Sequence, residues 1–202
     1  MTYPAFYDAV RTITLYDPLA ELLGASTDGL LQYGYCDAVK LAGHSCPTVA
    51  GAFLMTVKAL TSLYGENMPS RGNIRVAFRE GQSDGVTGVI ANVVSQITGA
   101  TEDNGFKGLA GQFNRTGLLS FNTEIDGMIR FERVDCPMAV EVDYHPGIVP
   151  GDARTPVLLQ SILARRASDA DRKLFAEIWQ DRVRRILIDY CDDAELITLM
   201  KK

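Results

Sequence analysis

The segment from Pro47 to Gly65 restricts the fold more than any other. Proline suits a first helical position, where its missing N–H costs nothing, and glycine suits the residue just past a helix end. Between them Ala50, Phe53, Leu54, Val57, Leu60 and Tyr64 recur at three- and four-residue steps, the period of a helix with one apolar face. Such a face needs an apolar layer to lie on. Asn73 to Glu80 supplies one: Ile74, Val76 and Phe78 alternate with Arg75 and Arg79, the pattern of a half-buried strand.

The rest of the pattern repeats this pairing. Ser83 or Asp84 is placed to cap a helix carrying Val86, Val89, Ile90, Val93, Val94 and Ile97, closed by Gly99. Three strands are expected next, near 116–122, 127–134 and 138–144. Asp126-Gly127 forms a turn between the first two, and Pro137 breaks the second from the third. An earlier helix is expected from about Asp28 to Leu41, with Leu30, Leu31, Gly34, Ala38 and Leu41 inward. The order is α-β-α-β-β-β. The fold class is therefore α+β, with helices packed on one mostly antiparallel or mixed sheet.

Pro146 to Gly151 is rich in residues that oppose both helix and regular strand. It divides a main domain, residues 1–150, from a helical C-terminal extension, residues 151–202, packed on it. Pro156 starts a short helix over 157–167. Ser168 with Asp171 resembles a second helix start. Leu174, Phe175, Ile178, Trp179, Val183, Ile186, Leu187 and Tyr190 then line one face. Arg172, Lys173, Arg182, Arg184 and Arg185 lie largely off that face, giving either a solvated surface or a docking surface for a protein partner.

Charge and composition exclude several classes. The net charge of -5 argues against a sequence-independent nucleic-acid binder, which needs a basic surface. No stretch has the roughly 18 consecutive apolar residues of a membrane span. Met1 to Phe6 has neither the charged nor the apolar region of a secretory signal, so a cytoplasmic location is expected. At 202 residues the chain can bury a core without staples. Its four cysteines, Cys36, Cys46, Cys136 and Cys191, are too sparse for a disulfide scaffold.

The chemistry concentrates in Gly43-His44-Ser45-Cys46-Pro47. If these residues are extended, His44 and Cys46 point the same way. They also stand where a helix begins, and its partial positive charge favours a thiolate. A thiolate with a neutral imidazole suits zinc or another divalent transition metal. The same pair suits a Cys–His nucleophile, metal-free thiol redox chemistry, or plain structure. The loop Gly105 to Gly111 lacks the spacing of a P-loop and follows a helix rather than a strand.

Gly43-His44-Ser45-Cys46-Pro47, followed by Gly51, resembles the G-H-x-C-P-x-x-x-G signature of the FmdE-like family, which takes its name from a component of formylmethanofuran dehydrogenase. Glu80 to Val86, Ile97 to Thr101 and Phe106-Lys107-Gly108 resemble further segments of it more loosely. The resemblance implies the same α-β-α-β-β-β core, a homodimer, and zinc or a similar ion held around His44 and Cys46. It also implies a second role, as the accessory subunit of a molybdenum or tungsten oxidoreductase. Asp84 and Ala100 replace later cysteines of the family, and its C-terminal zinc ribbon is absent. Asp84 is then either a third ligand or only a helix cap. Cys136 is a further candidate ligand, with His145 and Cys36 behind it, and Cys191 is structural. Lys107 offers a charge to a small anionic ligand, its loop closing over the metal as a lid or remaining a flexible surface loop.

Overall fold

The computed structural model describes residues 3–202. After a 3-10 turn at Ala5–Ala9 come β1 (Ile13–Tyr16), α1 (Pro18–Leu22), β2 (Leu30–Tyr33) and α2 (Tyr35–Ala42). Then follow α3 (Pro47–Tyr64), β3 (Ile74–Phe78), α4 (Thr87–Thr98), β4 (Leu119–Ser120), β5 (Ile129–Arg133) and β6 (Ala139–Tyr144). The chain continues with α5 (Thr155–Leu163), α6 (Asp169–Arg184), a π-helical turn at Arg185–Asp189, and β7 (Ile197–Lys201). The fold is α+β.

Five strands form one sheet in the order β4-β3-β5-β6-β7. β3 and β4 run parallel; the other neighbours in this sheet are antiparallel. β1 and β2 form a separate antiparallel pair. Phe78 pairs with Ile129, and Ile129 with Val142. The end of β3, the start of β5 and the end of β6 therefore share one end of the sheet, called here the upper end. Ile74 pairs with Arg133 at the lower end.

The central element is α3. Thirteen of its 18 residues are buried, so it is covered on all sides rather than on one stripe. It shares one core with Ile74, Val76 and Phe78 of β3, Ile129 and Phe131 of β5, and Val140 and Val142 of β6. Its start lies at the upper end, where the Tyr144 hydroxyl donates to the Pro47 carbonyl over 2.8 Å. Its finish lies at the lower end, where the Arg133 guanidinium sits 4.3 Å from the Tyr64 ring centre. α4 runs the same way, from the turn after β3 down to Thr98, whose carbonyl accepts from Gly72.

Gly51 makes room for the ring of Tyr144. A Cβ there would lie 2.2 Å from Tyr144 Cε1. Gly51→Ala gains helix propensity of about 0.8–1 kcal/mol, yet it must displace a buried aromatic side chain. A net loss of about 1–3 kcal/mol is expected from overpacking, read as a lower urea midpoint.

Four elements differ from the sequence expectations. Residues 28–41 form a strand and then a helix, because Gly34 is extended and β1 offers Leu30–Tyr33 a partner. The Asp37 carboxylate accepts from the Gly34 N–H at 2.9 Å, starting α2 afresh. The strand near 116–122 shrinks to Leu119–Ser120, since Gly117 and Asn122 both have positive φ. α4 begins at Thr87 with no side-chain cap, and Asp84 instead accepts from Gly81 in the preceding turn. The C-terminal extension ends in a strand, β7, that completes the sheet. Ser168 and Asp171 do cap α6, each side chain accepting from the other's N–H.

Candidate functional site

Ser45 is the best-anchored residue of the His44–Cys46 segment. Its hydroxyl donates to Gln180 Oε1 over 3.0 Å and lies 2.9 Å from the Tyr35 hydroxyl. Its carbonyl accepts from Trp179 Nε1 at 2.9 Å and from Gln180 Nε2 at 3.3 Å. α6 and α2 thus bolt the turn before α3 from two sides. Burial raises the Tyr35 and Tyr144 hydroxyls well above the usual phenol range, so both remain protonated donors.

The two flanking side chains have different neighbours. Cys46 is the N-cap of α3, with extended backbone and its Sγ 3.5 Å from the Val49 N–H. His44 is exposed, and its Nδ1 lies 2.9 Å from the Ala42 carbonyl oxygen. A carbonyl can only accept, so the proton sits on Nδ1 and the Nε2 lone pair is left for another partner.

The other expected site residues are scattered. Asp84 shares the upper end with the pair, in the β3–α4 turn, its carboxylate bonded to Gly81 N–H at 2.9 Å. His145 is exposed there too, just after β6. Cys136 lies at the lower end, in the β5–β6 turn near Tyr64. α3, about 27 Å long at 18 residues, separates it from Cys46. Cys36 lies in α2 beside Tyr7. Cys191 Sγ donates to the Ile188 carbonyl and lies 3.2 Å from Arg11 Nη2.

Lys107 is exposed in the loop after α4. That loop starts after Gly99, at the lower end of the sheet, and its Thr101, Glu102 and Asn104 line a small cavity with Gln82 and Phe121. Among the described residues, no group of three or more His, Cys, Asp or Glu side chains is placed to hold a metal ion. Zinc takes three protein ligands in an open site and four in a closed one. His44 and Cys46 are two such side chains, one short of three within a single chain.

A second polar centre, which sequence patterns do not reveal, lies at the lower end. Asp17 is only 2% exposed. Its carboxylate accepts from the Leu19 and Ala20 N–H groups, capping α1. It also accepts from Arg71 Nη1 at 2.9 Å and from Arg115 Nη2 at 2.7 Å. Burial works against its charge. Hydrogen bonding from Arg71, the positive charge of Arg115 and the Ala20 N–H outweigh that and hold the carboxyl below its ordinary range.

Arg71 also donates from Nε to the Ile97 carbonyl and from Nη2 to the Gln96 carbonyl, where the C-terminal dipole of α4 favours a cation. Burial lowers the Arg115 guanidinium from its ordinary value, with Asp17 opposing. It stays charged at neutral pH. Asp17 immediately before Pro18 is a helix-start signal, and it is the one local sign of this centre.

No protein-family model matches the chain, and no curated protein matches it. Among the described residues, no helix is long and apolar enough to cross a membrane.

Proposed function

We propose that the chain is a metal-binding protein of the cytoplasm, in which His44 and Cys46 supply half of a zinc site and a second copy of the chain supplies the other half. The observation that carries this reading is the Nδ1–H of His44 donating to the Ala42 carbonyl. A backbone carbonyl holding one ring nitrogen protonated, with the other free to ligate, is the usual outer-shell support of a metal-bound histidine.

Three further features support it. Cys46 sits at the N-terminus of an 18-residue helix, where the dipole favours the thiolate that zinc requires. Ser45, held by Tyr35, Trp179 and Gln180, fixes the backbone of the segment that carries both side chains. The Gly43–Gly51 segment resembles the metal-binding signature of the FmdE-like family. Two chains together bring two imidazoles and two thiolates, a common tetrahedral zinc set.

An exposed apolar surface near this segment supports pairing with a second copy. Trp179, which holds the Ser45 carbonyl, also lines a hollow with Thr155 and Pro156 at the start of α5. α5 buries none of its residues, and its Val157 and Leu163 are 69% and 74% exposed. This exposed apolar face supports the dimer reading. All four cysteines are free, which fits a reducing compartment.

Zinc titration of tag-free protein, with molecular mass measured in parallel, tests the proposal. One ion per two chains is expected, with a dimer that dissociates on chelation. His44→Ala and Cys46→Ser should each weaken zinc binding by about 10–100-fold or more. Zinc binding that is absent, or that survives both substitutions in a monomer, overturns it.

A further inference from the structure

The lower end of the sheet holds a cavity of about 320 Å³ beside the Asp17 cluster. That is near the small end of the range for ligand sites. Arg71 and Arg115 both line it, with Asn73 and Asn114 beside them. Pro18, Phe113, Leu118 and Val134 form its apolar wall. Phe113 reaches it from a backbone with φ of +60°, a conformation rarely taken by a bulky residue.

Arg115 is the anomaly of this site. It is 5% exposed, yet its Nε and Nη1 have no hydrogen-bond partner among the described residues. Buried donors normally find acceptors, and a buried charged group left short of them is costly. The guanidinium packs on Gly72, where a Cβ would lie 1.4 Å from Nη1, and next to Gly99. Two residues without side chains leave the space that this group occupies.

Charge defines what is missing. Two arginines share one aspartate, so the cluster is one negative charge short of neutral. A monocarboxylate restores neutrality and supplies acceptor oxygens in the geometry that guanidinium groups favour. A phosphate dianion overshoots and is repelled by the buried Asp17. The apolar wall asks for an apolar body on the same molecule.

We infer that this cavity binds a small monocarboxylic acid with an aromatic or branched apolar body, its carboxylate drawn to Arg115 and Arg71. The site is at the opposite end of the sheet from His44 and does not depend on a metal.

Calorimetric titration with phenylacetate tests this, with phenylacetamide as the uncharged shape control and inorganic phosphate as the bodiless anion. Phenylacetate should bind with a dissociation constant below about 1 mM, and both controls should bind about tenfold or more weakly. Val134→Trp fills the cavity from a position 45% exposed, so the fold and its melting temperature are expected to stay intact. This variant should lose phenylacetate affinity by about tenfold or more. Arg115→Lys keeps the charge but not the fork of donors, and should weaken phenylacetate more than phenylacetamide. No phenylacetate binding up to about 10 mM, phenylacetamide or phosphate binding as tightly, or undiminished binding in Val134→Trp overturns the inference.

Discussion

A chain ended after Arg184 is expected to stay unfolded. The segment removed holds Ile186, Leu187, Leu196 and Ile197, each at most 2% exposed. At about 1.5–3 kcal/mol for each buried side chain, the loss is about 6–12 kcal/mol. The whole stability of a domain is of the same size, about 5–15 kcal/mol. The cut also strips β7 from β6, where Val140 to Tyr144 pair with Lys201 to Ile197. Far-UV circular dichroism and urea titration of the shortened chain check this. A cooperative transition like that of the full chain would show that the four remaining strands suffice. Residues 185–201 thus belong to the main core, and only α5 among the C-terminal elements buries nothing. A partner would use α5 rather than a detachable tail.

Asp17→Asn is expected to destabilise the fold by about 3–5 kcal/mol, the range for removing one member of a buried ion pair. The amide keeps an oxygen for the α1 cap but abandons two arginines, and its NH2 group is a donor set among donors. The acid dependence identifies the cause. The Asp17 carboxyl is held below its ordinary value of 3.8. A lowered value in the folded state gives stability that is full above the unfolded value and fades as pH falls through the folded one. The gap between wild type and variant in urea midpoint should therefore be widest at neutral pH and shrink below pH of about 4. A gap independent of pH would mean that the packing of Asp17, not its charge, is what matters.

The parts of the fold that the sequence reveals are those decided locally. Pro47, Gly65 and the apolar steps between them mark α3, and alternation marks β3, because each signal lies within a few residues of its effect. β2 and β7 escape because each takes its structure from a partner strand. Leu30–Tyr33 is extended through β1, and Ile197–Lys201 through β6. The polar centres divide in the same way. His44 and Cys46 stand out because they are two residues apart. Asp17 meets Arg71 across 54 residues and Arg115 across 98, so neither pairing leaves a mark in any local window. Arg115 is further hidden in a glycine-rich loop, where Lys107 looks like the available cation and is in fact exposed to solvent.

The sheet order has a consequence for synthesis. β6 ends at Tyr144, but the strand that covers its outer edge starts only at Ile197. At 5–20 residues per second on the ribosome, β6 waits about 3–10 s with its edge groups unpaired. An open edge is a template for pairing with a neighbouring chain. Slowed translation of the α5–α6 stretch should therefore favour aggregation of the nascent protein, even though the finished fold covers that edge.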